Sequence, residues 1–221
     1  MSRRTSPREP PLGKLIAKTA GITLACFLAF ILILFGVFTV FVPSVMLSIT
    51  DACGMERLST QYAVSVYSRS GEIEDLADVV ERGYTSESWQ IVSDYGDRLM
   101  ARADYEEFCA AQDAENADGA IRSSYAQFIC GAVAVAEYRT GKETASIETA
   151  FSLNRRSFED NNAVVTLAMT AVDRGDKAFA AEVLAELREL TESVNFDLEQ
   201  DVRNLETLIG ILEAFCTETA A

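Results

Sequence analysis

No charged side chain occurs between Thr19 and Thr50, and most of those 32 residues are Leu, Ile, Val, Phe or Ala. A helix that crosses a bilayer needs about 20 such residues. The core of the run, from Gly21 to Phe41, has no polar face, and every position from Leu24 to Phe35 is apolar. A helix that is apolar all round belongs in lipid or in a large protein core. The run therefore divides the chain into a tail over residues 1–18, a transmembrane helix with its flank over 19–50, and a domain over 51–221.

The flanks give the span a direction. Arg3, Arg4, Arg8, Lys14 and Lys18 precede it, against a single acid, Glu9. Basic flanks stay on the cytoplasmic side. The expectation is a single-pass protein with a cytoplasmic N-terminus and an extracytoplasmic C-terminal domain, in contact with the lipid bilayer through residues 19–50. Pro7, Pro10 and Pro11 mark the tail as disordered. The alternative is a cleaved signal peptide. The apolar run is about twice the usual 7–15 residues of such a peptide, and Pro43-Ser44-Val45-Met46 offers no small-x-small cleavage site. The chain is read as keeping its anchor.

Charge and residue usage exclude whole classes of function. Of the chain's 19 basic and 34 acidic residues, setting aside the five N-terminal bases and Glu9 leaves 14 and 33, a net charge of −19. Such a surface repels nucleic acid, so none is expected as a partner. The charge serves solubility, or else a basic partner or weak divalent-cation binding. The chain has no histidine, so a Ser-His-Asp or Cys-His site is impossible within it. The commonest metal ligand is also missing, and neither metal nor cofactor is expected.

No G-x-x-x-x-G-K-[ST], G-x-G-x-x-G or G-x-S-x-G motif is present. Asp113–Gly119 looks like a calcium loop, but Ala114 and Tyr125 fall where its first and twelfth carboxylates belong. The carboxylates of Glu72, Glu74, Asp75, Asp78, Glu106 and Glu107 read as charged helix faces. The chain is therefore read as a non-enzyme.

The acidic domain carries a helical pattern throughout. No proline follows Pro43, and apolar residues recur at spacings of three and four. Four turn signatures punctuate it: Gly71-Glu72-Ile73, Ala103-Asp104-Tyr105, Gly141-Lys142-Glu143 and Gly175-Asp176-Lys177, with first residues 32, 38 and 34 apart. Seven residues before each turn stands a small or compact residue, Val64, Gly96, Ala134 or Ala168. Eight before stands Ala63, Tyr95, Val133 or Leu167, and five after stands Leu76, Phe108, Ser146 or Ala180. A small residue in mid-helix lets a partner helix approach, and the turn residue closes the hairpin.

This period and layout resemble the tetratricopeptide repeat family over about Ser59 to Leu190, best at Gly96 with Ala103–Glu107 and at Gly175-Asp176 with Ala180. The family's tryptophan-like first anchor and its proline at the repeat end are absent. The resemblance implies an all-α fold: one transmembrane helix, then an array of about four tetratricopeptide-like (TPR-like) hairpins. An unrelated helical bundle is the alternative. From Phe196 onward, Leu198, Val202, Leu205, Ile209, Leu212 and Cys216 form a heptad-like seam, widened by Leu208 and Phe215. Such a helix caps the array or docks a partner helix.

Arrays of this kind bind proteins or peptides on a concave face. The functional expectation is a membrane-anchored interaction scaffold or adaptor with protein partners. The alternative is an accessory structural subunit of a larger membrane complex. Trp89, the only tryptophan, stands near Tyr84 and Tyr95. The three line a recognition groove, or else Trp89 fills the core between hairpins. Cys109 and Cys130 are the candidate disulfide, since they flank the Asp113–Gly119 loop on consecutive helical segments. Otherwise the cysteines are buried thiols.

Overall fold

The computed structural model describes residues 12–115, 124–142, 147, 149–150, 163–193 and 199–217. Among them the chain is all-α, with ten helices packed on their neighbours. They are α1 (Leu12–Phe41), α2 (Pro43–Ala52), α3 (Glu56–Ser70), α4 (Ile73–Thr85), α5 (Trp89–Met100), α6 (Tyr105–Glu115), α7 (Tyr125–Thr140), α8 (Ala163–Arg174), α9 (Lys177–Ser193) and α10 (Glu199–Thr217). Residues 116–119 of the candidate calcium loop, Glu143, Ser146, Phe151, Phe196 and Leu198 lie outside the described residues.

The apolar run forms α1, and residues Ile16–Thr39 of it are long and apolar enough to cross a bilayer. None of that stretch is buried by the rest of the chain, which fits a membrane anchor and a signal sequence alike. The helix stops at Val42, whose backbone leaves the helical region at φ −138° and ψ 67°. Pro43 then opens α2 at its first turn, where a missing N–H leaves no bond unmade. The segment behind the apolar core is thus a helix of its own. Its Met46 and Thr50 are buried, and it packs along α3.

The joints follow local chemistry. Gly71, at φ 68°, ends α3 and sends its N–H to the Tyr67 carbonyl. Gly175, at φ 69°, does the same office after α8. Glycine takes this left-handed conformation without a Cβ penalty. Ser124 opens α7 with a reciprocal capping box to Gln127. Gly71-Glu72, Ala103-Asp104 and Gly175-Asp176 fall between helices and Gly141 ends α7, although the Ala103 turn uses no positive φ.

The repeat register is also the burial register. Ala63, Val133 and Leu167 are buried, as are Gly96, Ala134 and Ala168, and Leu76 and Ala180 behind the turns. Tyr95, Val64 and Phe108 are half-buried. In space, α3 packs on α4, α4 on α5, α5 on α7, and α7 on α8. One apolar cluster joins α4, α5 and α7. A second lies at the α7–α8 junction. A third holds α8, α9 and α10, where Leu205, Leu208 and Leu212 cover the preceding helices.

Gly96 lies in the α5–α7 contact, and an added Cβ there would overlap the Cγ2 methyl of Val133. Valine is stiff at χ1 and cannot swing away. Gly210, exposed on α10, faces open space. Gly96→Ala should therefore destabilise the domain by about 1–3 kcal/mol. Gly210→Ala should stabilise it by about 0.5–1 kcal/mol, through helix propensity alone. Urea denaturation of the two variants checks the opposite signs.

Candidate functional site

The α4–α5 turn builds one wall of a cleft. The Glu87 N–H bonds to the Tyr84 carbonyl at 3.1 Å and the Ser88 N–H to the Gly83 carbonyl at 2.8 Å. These are the two bonds of a Schellman closure, whose left-handed position is usually glycine. Here Glu87 occupies it at φ 55°. A non-glycine residue there stores backbone strain on the order of 1 kcal/mol. The reversal sets Tyr84 edge-on to Trp89 with ring centroids 5.7 Å apart, and Tyr84 also meets Phe128 of α7 edge-on at 5.9 Å.

The second wall is α7. Phe128, Gly131, Val135 and Arg139 recur at helical spacing along its cleft-facing side. Gly131 lets α8 come close: an added Cβ would lie 2.9 Å from the Ala163 Cα. The third wall is α8, with Thr166, Met169 and Asp173. The enclosed volume is about 300 Å³, at the lower end for sites that hold a small molecule or a single side chain.

Arg139 gives the cleft its chemistry. Its guanidinium lies 4.8 Å from the Trp89 ring centroid, a cation–π distance. Its Nε is buried and has no hydrogen-bond partner among the described residues. A buried donor left unpaired is costly, on the order of 1–3 kcal/mol. Burial pushes the Tyr84 phenol above its ordinary pKa, while the Arg139 charge and a hydrogen bond with Thr166 pull the other way. Tyr84 stays a neutral hydroxyl at physiological pH.

The three candidate aromatics are thus divided. Trp89 and Tyr84 share the cleft, both half-buried and packed against the α4–α5–α7 cluster. Tyr95 faces α3 instead, edge-on to Tyr67 at 5.9 Å with Arg98 over its ring at 4.7 Å. Phe128, Arg139 and Met169 escaped the sequence reading, because nothing local ties them to Trp89.

A second polar centre joins α2, α3 and α4. Arg82 donates to Asp51 at 2.5 Å, to Ser59 at 2.8 Å and to Asp78 at 2.7 Å. The Ser59 hydroxyl also donates to Asp51, and this bond first, with Arg82 after it, holds the Asp51 carboxyl below the usual carboxylate range. Asp75 accepts from Ser70. Among the described residues no group of three or more His, Cys, Asp or Glu side chains is arranged to hold a metal ion.

The five cysteines all carry thiols. Cys109 on α6 and Cys130 on α7 are buried, on helices that pack together. Burial raises both thiols, Cys130 to about 11. Comparison of the chain with protein-family models, with curated proteins and with solved structures finds no match in any of the three.

Thiol reactivity follows from burial, because the thiolate is the reacting form. At pH 7.5 the exposed Cys53 should take up a maleimide rapidly. Cys109 and Cys130 should react only after denaturation. If the denatured pair still needed a reductant before it reacted, mass spectrometry would show that a Cys109–Cys130 bridge had formed.

Proposed function

We propose that this chain is a membrane-anchored interaction scaffold. The span α1 holds it in the bilayer with the N-terminus in the cytoplasm, and the acidic domain stands on the other side. Its helices form a tetratricopeptide-like array of hairpins, closed at the C-terminal end by α10. The packing of α5 on α7 and of α7 on α8 supports the array, as do the buried small residues Gly96, Ala134 and Ala168 at one register position. Consecutive first helices of a hairpin array touch in this way.

The observation that carries the binding role is Arg139. In a chain of 34 acidic residues, this arginine has no ion pair among the described residues, and its buried Nε lacks an acceptor. Its guanidinium lies over the ring of the only tryptophan, at the edge of a cleft made by α4, α5, α7 and α8. A partner that brings a carbonyl or carboxylate oxygen to Arg139 and an apolar group to Tyr84, Trp89 and Phe128 satisfies every group there. A peptide segment of a protein partner has both. Aromatic and arginine side chains in a desolvated pocket are the usual anchors of such binding.

A photo-cross-linking amino acid in place of Met169, at the cleft rim, tests the reading in intact cells. It should give discrete adducts that fade in an Arg139→Gln background. The same probe in place of Ile211, exposed on α10, should not give them. Identical adducts from both positions, or adducts indifferent to Arg139→Gln, would remove the cleft as the binding site.

A further inference from the structure

The exposed large apolar side chains beyond the span are concentrated in one place. Val42 and Val45 are 38% exposed, Ile49 44% and Met55 51%, directly after Phe41 at 70%. Among the described residues only Met169 and Ile211 share this property elsewhere in the domain. Val45 and Ile49 are four apart, so they lie on one face of α2, and Val42 stands directly before its first turn. The neighbouring face, about 100° around the helix, carries Met46 and Thr50 and is buried where α2 packs on α3. The one charged residue of α2, Asp51, is engaged by Arg82 and Ser59. The strip that Val42, Val45 and Ile49 present is therefore apolar and uncharged, flanked by the exposed Ser44 and Ser48, and none of the described residues covers it.

Its position relative to α1 says what does. The apolar stretch Ile16–Thr39 has 24 residues, which at 1.5 Å per residue reach about 36 Å, beyond a hydrocarbon layer of about 30 Å. Thr39 and Phe41 therefore emerge at the headgroup level when the span is centred. There α3 is fastened to α1. The Tyr62 hydroxyl shares a hydrogen bond with Thr39 Oγ1 at 3.1 Å, and Arg69 Nη1 donates to the Phe41 carbonyl at 3.0 Å. Tyrosine and arginine are residues that settle at this boundary. Helix α2 begins two residues beyond Phe41 and packs on the same α3, so it cannot swing away on a leash.

We propose that Val42, the Val45–Ile49 face of α2 and Met55 lie in the lipid interface and seat the domain on the bilayer surface. The proposal rests on α1 crossing the bilayer. The contact is apolar, since an acidic domain gains nothing from anionic headgroups. A free ten-residue helix with so few apolar side chains would bind a membrane weakly. Attached to a span, it meets lipid as an intramolecular contact at high effective concentration.

Single-tryptophan forms of the full chain test this. Trp89→Phe is combined with Ile49→Trp, with Phe30→Trp in the span, or with Ile211→Trp on α10. Each form is reconstituted into phosphatidylcholine vesicles without brominated lipid, with lipid brominated near the headgroup end of the acyl chains to report on Ile49→Trp and Ile211→Trp, and with lipid brominated near the methyl end to report on Phe30→Trp. Circular dichroism verifies that each remains folded. Ile49→Trp should emit to the blue of Ile211→Trp and should be quenched by bromine, as Phe30→Trp is, while Ile211→Trp is not. Added salt should leave the quenching unchanged. Quenching of Phe30→Trp without Ile49→Trp would keep the span and overturn the proposal. Red-shifted emission from Ile49→Trp would then place the face in water, and blue-shifted emission would place it under a second copy of the chain. No quenching of Phe30→Trp would overturn the membrane reading itself, and the proposal with it.

Discussion

The joint at the end of α1 governs the placement of everything after it. A helix leaves its last carbonyls without intrahelical donors, and here the Phe41 carbonyl is taken by Arg69 from α3. Two helical turns earlier on α3, Tyr62 reaches Thr39. Pro43 breaks the backbone ladder between α1 and α2, and the same α3 then holds α2 by burying Met46. Arg82, paired with Asp78 on its own helix, ties the far end of α2 to α4 through Asp51. Each of these ion pairs is partly exposed and worth at most about 1 kcal/mol. Their effect is geometric: they register three helices against the apolar run.

From that base the domain grows by close helix approaches. Gly83 sits against Val92, Gly96 against Val133, and Gly131 against the Ala163 backbone. Each missing side chain lets two helices close, and each closure sets the next helix. The cleft is a by-product of the last two. Because α7 approaches α5 at Gly96 and α8 at Gly131, it brings Phe128 and Arg139 up to the Tyr84–Trp89 pair. On the proposed reading, the binding site thus depends on two glycines, Gly96 behind the cleft and Gly131 in its lining.

Much of this was legible in the sequence, for identifiable reasons. The apolar run, the turn glycines Gly71, Gly141 and Gly175, and the small residue at Gly96 are local signals, and local signals survive in one dimension. The leucines of the C-terminal seam also revealed their packing, because Leu205, Leu208 and Leu212 repeat at helical spacing. The grouping of Tyr95 with Trp89 failed on the same geometry. Six residues apart on α5, they point about 120° away from each other at 100° per residue. Arg139 lies 50 positions from Trp89 in the sequence, and only the tertiary fold brings them together. Helix α2 was concealed inside the uncharged stretch, since apolarity reports avoidance of water and not whether a backbone continues.

Hydrogen exchange on the full chain in lipid nanodiscs tests most directly whether α1, α2 and α3 form one rigid joint. Amides of α2 and of α3 up to Arg69 should exchange as slowly as those of α4 and α5. Arg69→Ala should speed exchange at the α1–α2 junction before it affects the α4–α5–α7 core. Fast exchange throughout α2, equal to that of an unstructured linker, would contradict the joint and leave the domain hanging free of its anchor.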